Sequence, residues 1–282
     1  MLRILVPTDF SDTAYAAMRT ALQLARSYHA EVTFLHAMER PMVPAATPQE
    51  VYYSILQAAQ QELGQRLQQL SQQLHQELDL RPKEVTRRVQ ILPTPVSNTV
   101  LQLIRDNSIN LVVMGSSGVS SLKKFFMGSN TAEMIRITTV PLLIVPARYA
   151  FRGFKSITVV IRAKRFGNRP GLSILDRLSH TFSASVYFLF ILDEDGQARD
   201  SLPLAESAEL VNGLNYEIIP IRKNSKNEEL EQHLQKTNTD LLVWLPRQVG
   251  GWGDSLSEGF TEEIAYKARL PLLVIPHLDE EE

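Results

Sequence analysis

At 282 residues, with 44% hydrophobic and 21% charged side chains, the chain is long enough for about two ordinary globular domains. Its net charge of −2 supplies no basic field to recruit nucleic acid or an anionic membrane, so neither is an expected partner. Cysteine is absent, which excludes a disulfide framework and thiolate metal ligands. The first residues lack a secretory pattern and no run reaches the ~18 apolar residues of a membrane span, so the expected location is cytoplasmic.

In chain order, residues 2–6 form an apolar run ending in Pro7, Thr8 and Asp9, the pattern of a central strand. Ser11 then caps a helix whose apolar residues, Ala14 to Tyr28, recur at helical spacing. Residues 31–37 (EVTFLHA) are the second strand. Strand, helix and strand at this length imply a right-handed parallel crossover. Ligands of such sheets bind beyond the carboxyl ends of the strands, where strand order reverses. Asp9 sits at one such end and Ala37 at another. A turn residue bonding local N–H groups is an equally good account of Asp9 by itself.

Residues 39–48 are a proline-rich loop, and the pattern from 49 to 78 is helical and glutamine-rich. Leu56, Leu63, Leu67, Leu70 and Leu74 make a stripe that fits either a helix covering its own domain or contact with a partner helix. Alternating residues from 84 to 92 predict a half-exposed edge strand, with Arg87 and Arg88 as a solvated pair. Pro95 opens the next helix.

The densest information lies between residues 111 and 146. Residues 111–114 (LVVM) are a buried parallel strand. Gly115 and Gly118 follow, and then Gly128, Ser129, Asn130 and Thr131 open a helix. A helix start presents unpaired N–H groups and the positive end of its dipole, and glycines let backbone come close to an anion. The stretch reads as a phosphate cradle, against the alternative of a tight strand-to-helix turn. It has neither the Walker A order nor the dinucleotide G-x-G-x-x-G order. Lys123 and Lys124 within the loop could reach a polyphosphate or simply be solvated. Residues 141–146 (PLLIVP) are an uncharged strand bounded by prolines, which suits a sheet edge in need of a partner.

The spacing G-x2-G-x9-G-S across residues 115–129 resembles the nucleotide-binding signature of the universal stress protein (UspA) family. That resemblance implies ATP as ligand, with Mg²⁺ bridging the phosphates and no protein metal ligand. Pro7, Thr8 and Asp9 would take the ribose or base edge, Ala37 the adenine slot through its backbone, and Met114 a place near the ribose. Gly115, Gly118, Gly128, Ser129 and Thr131 would hold the triphosphate, with Asn130 standing where the family often has a small aliphatic residue. The resemblance also implies a regulatory, nucleotide-dependent role with an unidentified protein partner.

The second half repeats the first in its strands. Residues 269–276 (RLPLLVIP) echo 139–146 (TVPLLIVP), 239–246 (TDLLVWLP) echo 109–116 (INLVVMGS), and 154–161 (FKSITVVI) echo the first strand. The expected fold is therefore α/β, two doubly wound five-stranded parallel sheets paired through their last strands. The expected domains are residues 1–147 and 154–277, with an acidic tail at 278–282. Such pairing makes an intramolecular pseudo-dimer and leaves a further homodimer open. Ungapped alignment sets Leu245, Gln248, Glu258 and Gly259 opposite Gly115, Gly118, Gly128 and Ser129, and Arg162 opposite Asp9. Side chains and negative charge thus replace the cradle, so ATP is expected in the first half only. Helix 202–214 is shorter than its counterpart, and the Trp252 loop is either a partner contact or a packed surface loop.

The six histidines show no metal spacing, and no nucleophile elbow or kinase signature occurs. His36 reads as a core residue. The chain is expected not to be an enzyme, beyond slow incidental ATP hydrolysis. A module of the same fold that binds proteins and no nucleotide is the alternative. An adenylyl-transfer enzyme would need an SGGxDS-type or HIGH-type motif after the first strand, where this chain has PTDFSD.

Overall fold

The structure, a computed structural model, describes residues 1–81, 84–107, 109–117, 128–161, 171–192, 214–222, 226–246 and 269–276. Its first half runs β1 (Arg3–Pro7), α1 (Asp12–Tyr28), β2 (Glu31–Ala37), α2 (Gln49–Glu77), β3 (Thr86–Leu92), α3 (Val96–Asn107), β4 (Leu111–Gly115), α4 (Ser129–Ile137) and β5 (Leu142–Val145). The second runs β6 (Ser156–Ile161), α5 (Leu172–Phe182), β7 (Ser185–Leu192), β8 (Tyr216–Arg222), α6 (Lys226–Lys236), β9 (Leu241–Trp244) and β10 (Leu272–Val274). The expected helix at 202–214 (all but its last residue), the Trp252 loop, the acidic tail and Gly118 with its two lysines lie outside the described residues.

All ten strands join one sheet in the order β3-β2-β1-β4-β5-β10-β9-β6-β7-β8. Within each half every pairing is parallel, and the halves meet in antiparallel β5 and β10. Leu143 faces Leu273 at the middle of that junction, where a two-fold axis relating the halves would pass. The two proline-bounded strands thus cover each other's edges, as their uncharged sequences required. β8, at the far edge, carries Pro220, a residue confined to such positions within sheets.

The repeat extends to single hydrogen bonds. The Arg3 N–H donates to Asn110 Oδ1 at 2.9 Å, and in the second half the Lys155 N–H donates to Asp240 Oδ2 at 2.8 Å. Both side chains tie the start of the first strand to the chain entering the fourth.

Alternate residues of each strand feed two cores. Val6, Phe34 and Val113 pack with α1 and α2, while Leu5, Leu35 and Val112 pack with α3 and α4. Each core continues into the second half, the first through Val159 and Phe188 and the other through Leu189 and Leu242. Twenty-nine residues long, α2 packs only its later half firmly, with Leu67, Ser71 and Leu74 buried. The leucine stripe therefore covers its own domain. The first half of the helix instead exposes Val51, Tyr53 and Ile55. No helix among the described residues is long and apolar enough to cross a membrane.

Candidate functional site

The strand order reverses between β1 and β4, and the candidate residues gather beyond the carboxyl ends of those strands. Pro7 closes β1, Ala37 closes β2 and Gly115 closes β4. The sheet itself thus brings together residues more than a hundred positions apart.

Local chemistry shapes the β1–α1 turn. The Thr8 N–H donates to the Leu35 carbonyl at 2.8 Å, extending the ladder one residue past β1. Phe10 then takes φ 62°, a left-handed conformation uncommon for a residue with a Cβ. Two short-range bonds hold it: the Phe10 N–H donates to Thr8 Oγ1 at 3.2 Å, and the Ser11 N–H to Asp9 Oδ1 at 3.1 Å. Asp9 is thus a turn-former, and its side chain is also exposed at the mouth of the site. The Phe10 ring lies 4.7 Å from the His36 ring, and the Arg66 guanidinium sits 4.2 Å above it. Arg66 anchors α2 over the turn by this cation–π contact. His36 donates from Nδ1 to the Thr8 carbonyl at 2.8 Å, which fixes its tautomer and makes it a structural residue.

Across the reversal, two strand–helix junctions are buckled together. Ser11 caps α1 by accepting from the Ala14 N–H at 3.2 Å. Thr13 Oγ1 donates to the Ser117 carbonyl, which leaves the Ser11 hydroxyl as donor in the 3.0 Å contact between Ser11 and Thr13. Thr131, itself buried, donates to the Gly115 carbonyl at 2.9 Å, and the Gly128 N–H donates to the Ser116 carbonyl at 2.9 Å. Both ends of the glycine-rich loop are held against each other and against α1.

The start of α4 differs from that of α1. Gly128, its N-cap, has no side chain to offer, and the first helical bond runs from the Ala132 N–H to the Gly128 carbonyl. The N–H groups of Ser129, Asn130 and Thr131 consequently have no partner among the described residues. Ser129 and Asn130 are exposed there. Chemically, this is an uncapped ring of donors at the positive end of a helix, suited to an anion.

Met114 is buried in the α3–α4 core, so it can offer a ligand little beyond its backbone. Ala37 is half-buried at the end of β2, next to Met38, whose N–H donates to the Leu92 carbonyl at 2.9 Å. Gly115 has a second reason to be glycine. A Cβ there would meet the Thr13 backbone at 2.7 Å and its Oγ1 at 2.8 Å. Sequence reasoning missed Thr13, Phe10 and Arg66, because their contacts cross between elements and leave no local periodic mark. In the second half, Leu245 is buried at the position matching Gly115, while the other replacements lie outside the described residues.

Comparison with known proteins falls on the same half. Residues 1–146 match the model of the universal stress protein family. Universal stress protein MJ0531 of Methanocaldococcus jannaschii is 25% identical over 144 residues, covering 51% of this chain and 81% of that protein. Universal stress protein YxiE of Bacillus subtilis is 23% identical over 150 residues, covering 51% and 97%. A crystal structure of a universal stress protein from Archaeoglobus fulgidus aligns over 98% of both chains with a TM-score of 0.70. At 13% identity that likeness is one of fold, and it spans both halves.

Proposed function

From the premise that this chain belongs to the universal stress protein family, we propose that its first half binds ATP and that occupancy regulates a surface read by a partner. The observation that carries the reading is the uncapped start of α4, held by the Gly128–Ser116 bond beside the ends of β1 and β4. The N–H groups of Ser129, Asn130 and Thr131 suit the phosphates. Asp9, exposed two residues beyond β1, suits the ribose or base edge, and the backbone of Ala37 the adenine. Bound Mg²⁺ would neutralise phosphate charge, its ligands drawn from phosphate oxygens and water. Among the described residues no cluster of three His, Asp or Glu side chains could cage a metal.

Regulation is the reading favoured over catalysis. Asp9 is the single carboxylate within the candidate set, whereas a hydrolase wants a base positioned to activate water. Exposed Val51, Tyr53 and Ile55 on α2 favour a second reading, a protein-contact surface that works without nucleotide. One calorimetric experiment separates the two. Titration of the full chain with Mg-ATP is expected to show one site per chain, lost in Gly128→Glu. That substitution suits the purpose because Gly128 has an ordinary φ of −61°, so the new carboxylate opposes phosphate without backbone strain. Absence of heat in the wild type would leave the contact surface as the function, and two sites per chain would return the second half to the account.

A further inference from the structure

The first part of α2 stands away from the sheet. Near the start of β3 the Arg87 guanidinium donates to the Ser71 carbonyl at 2.7 Å, and near its end Gln60 Nε2 donates to the Ile91 carbonyl at 3.3 Å. The helix therefore runs against β3, and its residues 49–59 extend past the carboxyl end of that strand, over roughly 16 Å. Asp9 and Ala37 lie at the same end of the parallel strands. Leu67 is the first buried residue of α2, and Val51, Tyr53 and Ile55 are exposed, so this arm draws little support from the core.

Phe10 joins the arm to the candidate site. In sequence it follows Asp9, and its ring lies 4.7 Å from that of His36, the residue before Ala37. Arg66, just before Leu67, holds its guanidinium 4.2 Å from the centroid of the Phe10 ring. The Asp9 carboxylate accepts from the Ser11 N–H, one of the two bonds that keep Phe10 in its left-handed conformation. Such a backbone is costly for a residue with a Cβ and persists only where its surroundings hold it. A ligand that immobilises Asp9 thus steadies the turn, the ring and the cation above it.

We infer that Phe10 and Arg66 couple occupancy of the nucleotide site to the order of the α2 arm, so that bound nucleotide holds residues 49–59 and its departure loosens them. The inference rests on the nucleotide reading and names the element that occupancy governs. Coupling of this kind is reciprocal: whatever steadies the arm also tightens the ligand. An exposed cation–π contact sets its size at about two- to fivefold in affinity.

The test is hydrogen exchange of the full-length chain, read by mass spectrometry with and without Mg-ATP, beside calorimetry. Bound ATP should slow exchange in residues 49–59 as well as in 128–131. Arg66→Gln should still bind one ATP per chain, about two- to fivefold more weakly, and lose the protection of residues 49–59. Phe10→Leu, which removes the ring, should lose that protection too, whereas Arg66→Lys, which keeps a cation over the ring, should retain it. ATP binding that leaves exchange in residues 49–59 unchanged would overturn the coupling while the nucleotide reading stands. So would protection in Arg66→Gln equal to that of the wild type. A wild-type chain that binds no ATP would overturn both.

Discussion

Thr13 and Gly115 stand so close that no side chain fits between them: a Cβ added to Gly115 would lie 2.7 Å from the Thr13 carbonyl carbon and 2.8 Å from its Cβ. The first turn of α1 is thereby seated on the end of β4, and Thr13 Oγ1 reaches the Ser117 carbonyl one step further on. Gly115→Ala must push helix and strand apart. Overpacking of this kind costs about 1–3 kcal/mol. Chemical unfolding of the variant should show that loss, and wild-type stability would mean that the junction yields freely.

The hydroxyl of Thr13 can be removed with its shape retained. Thr13→Val deletes the bond to Ser117 and leaves a half-buried carbonyl without that donor, a cost of about 1 kcal/mol. Because that bond positions the entry of the glycine-rich loop, the variant should also bind ATP several-fold more weakly. Calorimetry would read both the affinity and, by keeping the stoichiometry, the integrity of the site. Unchanged affinity would detach the buckle from the ligand.

The two halves of α2 should respond differently to truncation. Leu67 is fully buried, whereas Ile55 retains 39% of its exposure. Leu67→Ala should destabilise by about 2–5 kcal/mol, while Ile55→Ala should stay within about 0.5 kcal/mol of wild type. Equal effects in urea unfolding would show that the first half of the helix is packed after all.

Acid should weaken the fold above the range where carboxylates titrate. Burial lowers the pKa of His233 from its ordinary 6.5; Glu217 opposes the shift and Lys236 adds to it. His75 is lowered as well, by burial first and then by Arg87, with Glu84 opposing. Both rings are thus held neutral in the fold, while in the unfolded chain they gain protons below about 6.5. Their contribution is present above that pH and is lost as pH falls through the depressed folded values. The slope is at most about 1.4 kcal/mol per pH unit for each linked proton. Between pH 7 and 5 the unfolding free energy should fall, and His233→Gln should flatten the dependence. A slope identical in the variant would remove His233 from the cause.

The sequence alone determined the element order, the repeat and the positions of the candidate ligand groups, because these are written locally. Apolar runs in residues 111–114 and 142–145 mark strands, Ser11 and Gly128 mark helix starts, and two proline-bounded strands predict their own pairing. Packing decided the rest. That Gly115 gives way to Thr13 and that Arg66 rests on Phe10 depend on residues 102 and 56 positions apart. Periodicity records which face of an element is apolar; what that face meets is set only when the sheet closes around it.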